Sequence, residues 1–365
     1  MAGNFVQLHN HTHYSLLDGA SKVPDLVKRV KELGMPAVGI TDHGNMHGAY
    51  ELWRAAVDSG VKPIIGIEAY VTPETARQDK TRVSWDTNWT PVPGHARNPD
   101  DVSGGGLITH LTMWAENDEG LVNLIKASSV ANLEGRVMRY PRMDKEVLST
   151  YSKGVIASSG CPSGIIQTRL RLGQFDEALR AAGEFQDIFG KDNFYIELMD
   201  HGLSIESKVT GDLLTIAKKL GAPLLATNDS HYVMEADKDA QDAMLCINSG
   251  ATLDDPNRFK FEGSGYYIKS AEEMRELFKD HPDACDNTLE IAERCNVIFD
   301  DHEDGAFMPQ FDCPEGWDET SLFLKKVEEG LEKRYDGNPP MEVLKQADYE
   351  CGVICQMQFL SLIHI

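Results

Sequence analysis

The sequence has no apolar run near the ~20 residues that a helical bilayer crossing needs, so no membrane span is expected. It has no CxxC pair either. Its seven cysteines, at 161, 246, 285, 295, 313, 351 and 355, are odd in number and scattered, which argues against a disulfide framework. Cys351 and Cys355 stand four apart, on one face of a helix, and read as packing residues. Positive charge is scarce: 35 Lys and Arg against 58 Asp and Glu leave a formal net charge of −23. That balance argues against broad electrostatic capture of nucleic acid. It leaves open a site where bound cations meet phosphates, because ions reverse the local field. The opening MAGNFVQLHNH lacks the basic start and long apolar centre of a secretory leader, so a cytoplasmic location is expected.

What is present is a 365-residue chain with 41% hydrophobic residues, enough for one large domain or two modest ones. Short apolar runs recur: FVQLH (5–9), PAVGIT (36–41), KPIIGIEAYV (62–71), LITHLTMWA (107–115), GVIASS (154–159), FYIELM (194–199) and APLLAT (222–227). Amphipathic stretches lie between them. In VPDLVKRVKELG (23–34), Val23, Leu26, Val27, Val30 and Leu33 share one face, and Gly34 and Pro36 end the helix. Strands alternating with helices predict a parallel α/β architecture. The segment from Thr72 to Gly106, rich in Pro, Gly, Asn and Asp, breaks this rhythm and reads as a long excursion near the site rim. After about Ile291 the character changes to a linker, a surface helix and the start of another helix in QADYECGVICQMQF.

Residues with metal-binding chemistry stand at the ends of most of these runs. The first ends in His9-Asn10-His11 with Asp18 following, and the second in Thr41-Asp42-His43-Gly44. The third carries Glu68, the fourth His110, the fifth leads into Gly160-Cys161, and the last ends in Asn228-Asp229-Ser230-His231. Residues two apart on a strand face one way, so His9 with His11 and Asp229 with His231 offer paired ligands. Parallel barrels build their sites at the C-terminal strand ends. A closed barrel also brings the first and last strands together, which favours closure over an open sheet. Asp42 reads either as a ligand or as a residue that orients one. His13, the third histidine of the run, is not counted with His9 and His11. Nine such positions exceed the needs of one ion and suit two or three. Imidazole, carboxylate and one thiolate suggest zinc, manganese or iron more than magnesium. Arg139 and Arg142, beside Tyr140, are candidates for phosphate contact, with solvated surface charge as the other reading.

These motifs resemble those of the PHP (polymerase and histidinol phosphatase) family. HNHTHYSLLDGA, MPAVGITDHGNMHGAYE, ASSGCPSG, ELMDHG and LLATNDSHYV are similar, in particular, to the N-terminal region of bacterial replicative DNA polymerase III alpha subunits of the actinobacterial type. The similarity extends from residue 3 to about 357. It implies a distorted seven-stranded (β/α)7 barrel with a trinuclear metal site and a partial helical C-terminal extension. It implies a PHP metal-dependent phosphoesterase domain over 1–290, then a linker and the start of a polymerase palm over 291–365. The family continues where this chain reads QFLSLIHI, so a truncation is expected, without the polymerase active site.

By the same resemblance His9, His11, Asp18, His43, Glu68, His110, Cys161, Asp229 and His231 form the ligand set. His9, His11, Glu68 and Asp229 would be its catalytic part, with Glu68 bridging. His110 and Cys161 would complete a second site, and Asp18, His43 and His231 a third. Some family members have lost several of these residues and serve as scaffolds. The full set implies a metal-dependent 3′→5′ exonuclease that proofreads new DNA. The partners implied are a DNA 3′ terminus and the replicative holoenzyme, with its sliding clamp, clamp loader and a separate proofreading subunit, and no membrane. The alternatives are a histidinol-phosphatase-like enzyme and a non-catalytic scaffold that docks the separate proofreading subunit.

Overall fold

Strands form here where branched and aromatic residues can be buried on both faces. KPIIGIEAYV is the clearest case: Ile65, Ile67, Ala69 and Val71 join the larger core under the helices, while Ile64 joins a smaller core inside the curled sheet. The computed structural model describes residues 5–16, 18–86, 98, 106–300 and 309–365. In chain order the elements of the first compact unit, Met1–Phe299, begin with α1 (Val23–Glu32), β1 (Ala37–Ile40), α2 (Ala49–Ser59), β2 (Lys62–Val71) and β3 (Thr109–Ala115). Then come α3 (Asp118–Glu134), β4 (Arg142–Met143), α4 (Lys145–Thr150), β5 (Val155–Ser158), α5 (Ile165–Arg171), α6 (Phe175–Phe189) and β6 (Phe194–Leu198). The unit ends with α7 (Ser204–Leu220), β7 (Leu224–Ala226), α8 (Lys238–Ser249), α9 (Ala271–Leu277) and α10 (Pro282–Arg294).

The sheet order is β1-β2-β3-β5-β6-β7, with β4 paired to β2. The all-parallel expectation is corrected: β3 runs antiparallel to both β2 and β5, and the other pairs are parallel. The cause is the connection. A parallel return needs a crossover on the sheet face, usually a helix. The excursion after β2 carries no helix among its described residues, so the chain comes back alongside β2 in the opposite sense. Of that excursion, residues 87–97 and 99–105 lie outside the described residues.

The first predicted strand, FVQLH, is also corrected. It forms isolated bridges instead of a regular strand, Gln7 to Val38 on one side and Asn10 to Ser230 on the other. It thereby joins the two ends of the sheet and curls it into a barrel-like ring. The backbone bends at His9. The Asn10 amide holds the bend by donating to the Gln7 carbonyl at 3.0 Å and the Gly39 carbonyl at 2.8 Å. Val6 and Leu8 lie in the interior core, yet His9 and His11 also reach the interior residues Glu68 and Asp229. The bend therefore changes which alternate residues face inward.

The interior floor consists of Val6, Leu8, Ala37, Ile64, Trp114, Ile156, Tyr195 and Leu225, closed by Ile291, Ala292 and Cys295 around α10. Trp114 is fully buried and its indole N–H donates to the Leu8 carbonyl at 3.0 Å. Gly66 makes room for it, since a Cβ there would fall 2.7 Å from the indole ring. The second unit, Asp300–Ile365, holds α11 (Glu319–Arg334), α12 (Met341–Met357) and α13 (Leu360–His364) around Phe323, Cys351 and Leu360. Its first helix starts on Asp318, whose carboxylate accepts from the Ser321 N–H at 2.7 Å. No helix among the described residues is long and apolar enough to cross a membrane.

Trp114→Phe keeps the ring volume near that of the floor but orphans the Leu8 carbonyl. A loss of about 1–3 kcal/mol is expected, read as a lower denaturant midpoint at unchanged slope.

Candidate metal centre

Above the apolar floor the next inward-facing positions are polar. Two residues beyond Ile64, Trp114, Ile156, Tyr195 and Leu225 along the rim direction stand Gly66, Thr112, Ser158, Glu197 and Thr227. Glu197 is buried and sits at the middle of this layer. It accepts from the Thr227 hydroxyl at 2.6 Å and from the Ser158 hydroxyl, and its own N–H donates to Ser159. With two hydroxyl donors it is an acceptor, so the 2.7 Å contact to His9 Nδ1 is an N–H donated by the imidazole. The lone pair of His9 Nε2 then faces the rim.

The rim carries the predicted residues. Glu68 is the fourth residue from the end of β2, and His110 the second of β3, whose antiparallel direction places it across from Tyr70 at the same end. His43 follows β1 through Thr41 and Asp42, at a turn where Gly44 adopts φ +64°. Cys161 follows β5, and Asp229 and His231 follow β7. Asp229 itself has φ +44°, a conformation most side chains avoid.

The structure brings all nine together. His9 Nε2 lies 3.3 Å from Asp229 Oδ1 and 3.5 Å from Glu68 Oε1. His11 Nε2 lies 3.1 Å from the same Asp229 oxygen. Glu68 Oε2 lies 2.6 Å from His43 Nδ1 and 3.0 Å from His110 Nδ1, and Cys161 Sγ lies 3.4 Å from that His110 nitrogen. Asp18 Oδ2 lies 3.1 Å from His43 Nε2, and the rings of His11 and His231 stack at 4.3 Å. Three groups have ligand atoms close enough to share an ion: His9, His11 and Asp229; His43, Glu68 and His110; His11, His43 and His231. Glu68 reaches both of the first two groups, one oxygen toward His9 and the other toward His43 and His110.

The proton count tests whether a cation fits. Ser15 donates its hydroxyl to Asp42 at 2.7 Å, so the 2.9 Å contact between Ser15 Oγ and His11 Nδ1 is a bond donated by the imidazole. His231 Nδ1 donates to the Asp229 carbonyl at 2.8 Å. His9, His11 and His231 therefore all turn an Nε2 lone pair inward, and those of His9 and His11 face each other at 3.3 Å. Both Glu68 oxygens, Asp229 Oδ1, Asp18 Oδ1, His43 Nδ1 and His231 Nε2 are buried without a hydrogen-bond partner. Lone pairs gathered in this way, with donors facing outward, fit divalent cations.

The electrostatics show the negative charge that a cation would balance: with none bound, the surrounding acids draw a proton onto His9. Burial opposes charge on His9, but Asp229 and then Glu197 outweigh it and hold its pKa well above the usual imidazole value. Burial, with His43 and His231 alongside, pushes His11 down to about 3. Burial works against ionising Glu68 and Asp229 too, yet His110 and His43 hold Glu68 well below the carboxylate range, and His9 and His231 do so for Asp229. Burial and the nearby Glu68 and Asp229 push the Cys161 thiol far up, so its thiolate needs a cation.

Not every predicted residue lies here. The Asp42 carboxylate accepts from the Thr12 N–H and hydroxyl and from Ser15, and through Ser15 it orients His11. His13 is 41% exposed beside Glu51. Arg142 as a phosphate contact is corrected: it is fully buried, and its guanidinium donates to the carbonyls of Gly135, Leu107, Arg77 and Asp79. Arg139 is exposed and stands 5.3 Å over the Tyr140 ring. Tyr140 packs edge-on to Tyr70, which lies flat beside His43. Glu197 was missed from the sequence. Its signal was a lone carboxylate in the apolar run FYIELM, parallel to Glu68 in KPIIGIEAYV.

Comparison with known proteins places this geometry. DNA polymerase III subunit alpha of Mycobacterium leprae is 50% identical over 98% of this chain, and that of Mycobacterium tuberculosis 49% identical over 98%. The chain spans 30% of the length of either relative and is similar to their N-terminal region. Among solved structures, an amidohydrolase from Chromobacterium violaceum is 15% identical, with 62% of this chain and 87% of that one covered at a TM-score of 0.37. The PHP domain model matches residues 7–201, which include the bend at His9, the rim residues up to Cys161 and the buried Glu197. With more than half of its length inside that match, the chain belongs to the PHP domain family.

Proposed function

We propose that the chain is the PHP part of a replicative DNA polymerase alpha subunit and acts as a metal-dependent 3′→5′ exonuclease in the cytoplasm. The observation that carries this reading is the inward set of lone pairs: those of His231, Glu68 and Asp229 have no hydrogen-bond partner, and those of His9 and His11 face each other. Bound divalent ions, two or three in number and zinc, manganese or iron by donor chemistry, would supply Lewis-acid activation for hydrolysis of a phosphodiester. His9, His11, Glu68 and Asp229 would form the catalytic part, with Glu68 shared; His110 and Cys161 would hold a second position, and Asp18, His43 and His231 a third.

The remaining residues position these. Glu197 fixes the His9 proton on Nδ1, and Asp42 does the same for His11 through Ser15. Arg139 stands at the mouth beside Tyr140 as a contact for the terminal phosphate. The relatives' name, a DNA polymerase subunit, supports DNA as substrate; the setting we propose with it is the replicative holoenzyme, with its clamp, clamp loader and a separate proofreading subunit. On this reading the phosphoesterase domain expected over 1–290 continues to Phe299, because Ile291, Ala292 and Cys295 close its interior floor, and the rest of the chain leads toward a palm. A scaffold that only docks a proofreading subunit would have no use for a fully assembled ligand set.

The purified chain should carry bound metal by elemental analysis and release mononucleotides from a mismatched 3′ end. Asp229→Asn should lose metal and slow release by more than the roughly 10- to 100-fold typical of removing an outer hydrogen-bond partner. A folded wild-type chain with neither metal nor release would overturn the exonuclease reading in favour of the scaffold.

Glu197→Gln leaves every candidate ligand in place and removes only the charge behind His9. Metal affinity should drop roughly 10- to 100-fold, measured by competition with a chromophoric chelator. An unchanged affinity would show that the His9 proton is held without this carboxylate.

A further inference from the structure

One wall of the candidate centre is aromatic and runs outward. Phe261 meets the His231 ring edge-on at 4.7 Å, and Phe259 meets Phe261 edge-on at 5.9 Å. Phe259 is 60% exposed. The pair is not a loose tip. Phe261 rests at 4.8 Å on Tyr266, which stacks on His201 at 4.1 Å. The Tyr266 carbonyl accepts the N–H groups of His231 and Tyr232 at 2.8 and 3.2 Å, which ties this loop to the ligand-bearing segment. Beside it lies an open cavity of about 420 Å³, lined by Phe261, Tyr232, Lys238, Lys260 and Gln241 among others. Gln241 donates to the Asp18 carbonyl at 3.1 Å, so the cavity adjoins the ligand loop as well.

The formal charges lining this cavity cancel. Arg258 is held by both oxygens of Asp242, and Lys238 and Lys260 share the lining with Asp239 and Glu262. A duplex bound through its backbone would find little here. Exposed aromatic rings leading away from a phosphoesterase centre, with two lysines and few net charges, suit unpaired bases, because each base offers a face for stacking.

We propose that Phe261 and Phe259 form a stacking platform for the unpaired bases of a single-stranded DNA 3′ end, so that the centre acts on frayed or mismatched termini. This rests on the exonuclease reading for its direction, but the platform is a binding surface and can be tested without catalysis. The rings take the last bases while Lys238 and Lys260 contact their phosphates.

The test is binding of a fluorescent short oligothymidylate to the full chain in EDTA, followed by anisotropy. Phe259→Ala, at an exposed position, should bind roughly 5- to 150-fold more weakly, the range for one lost base stack, and Phe259→Trp should restore affinity. Two lysine-phosphate contacts predict a shallow salt response, about seven-fold weaker binding between roughly 50 and 200 mM salt. Tighter binding of a blunt duplex than of the single strand, or equal affinity for wild type and Phe259→Ala, would overturn the platform. Metal content measured on the same preparations before EDTA is added keeps the two readings separate: lost base binding in a variant purified with wild-type metal content supports the platform, while wild type purified without metal that still binds through Phe259 supports the platform and counts against the exonuclease.

Discussion

Everything at the rim depends on one buried contact, the proton shared between Glu197 and His9. A carboxylate buried in a sheet is costly unless its acceptor capacity is filled. Here Thr227, Ser158 and His9 fill it. The same bond turns the His9 lone pair toward the rim and adds negative charge beneath it. Nothing else inside the ring needs these hydroxyls, so the polar layer exists to set one imidazole. The apolar floor below supplies the rigidity, with Trp114 tied to the backbone of Leu8 immediately before the bend.

The bend is the second constraint. A regular strand would have continued the alternation of Val6 and Leu8 and turned His9 and His11 toward the helices. Instead Asn10 bonds across the bend and the histidines turn inward. The antiparallel β3 solves a matching problem on the other side. Its start, not its end, meets the rim, so His110 can face Glu68 from a strand that runs against its neighbours.

Much of this was legible in the sequence because rim positions differ from their surroundings. His9, His11, His43, His110 and His231 interrupt apolar runs, and periodicity placed those runs. What was not legible depended on long-range pairing. The direction of β3 is set by a connection whose composition says only that it is irregular. The failure of FVQLH to form a strand comes from contacts with Val38 and Ser230, which are distant in sequence. Arg142 looked like surface charge because four backbone carbonyls from other segments, which alone make its burial tolerable, cannot be read from its neighbours. The role of Glu197 is illegible for a related reason, although a lone carboxylate in FYIELM marks its place: a buried carboxylate is recognised by the hydroxyls around it, and those come from β5 and from the end of β7.

The strongly acidic composition takes on a local meaning in this light. Asp18, Glu68, Asp229, Glu197 and Asp42 concentrate negative charge at one end of the ring, where a DNA terminus would be repelled if no cation were held. Divalent ions at that rim would reverse the sign where a phosphate must approach and leave the rest of the surface acidic. On the proposed reading, a protein with a net charge of −23 would bind DNA only where its ligands hold metal and where rings can stack on bases. Such a surface gives duplex backbone little to grip away from the centre. On that reading, discrimination in favour of an unpaired end would follow from the overall charge as much as from the site, because weak background attraction leaves the local contacts to decide what is bound.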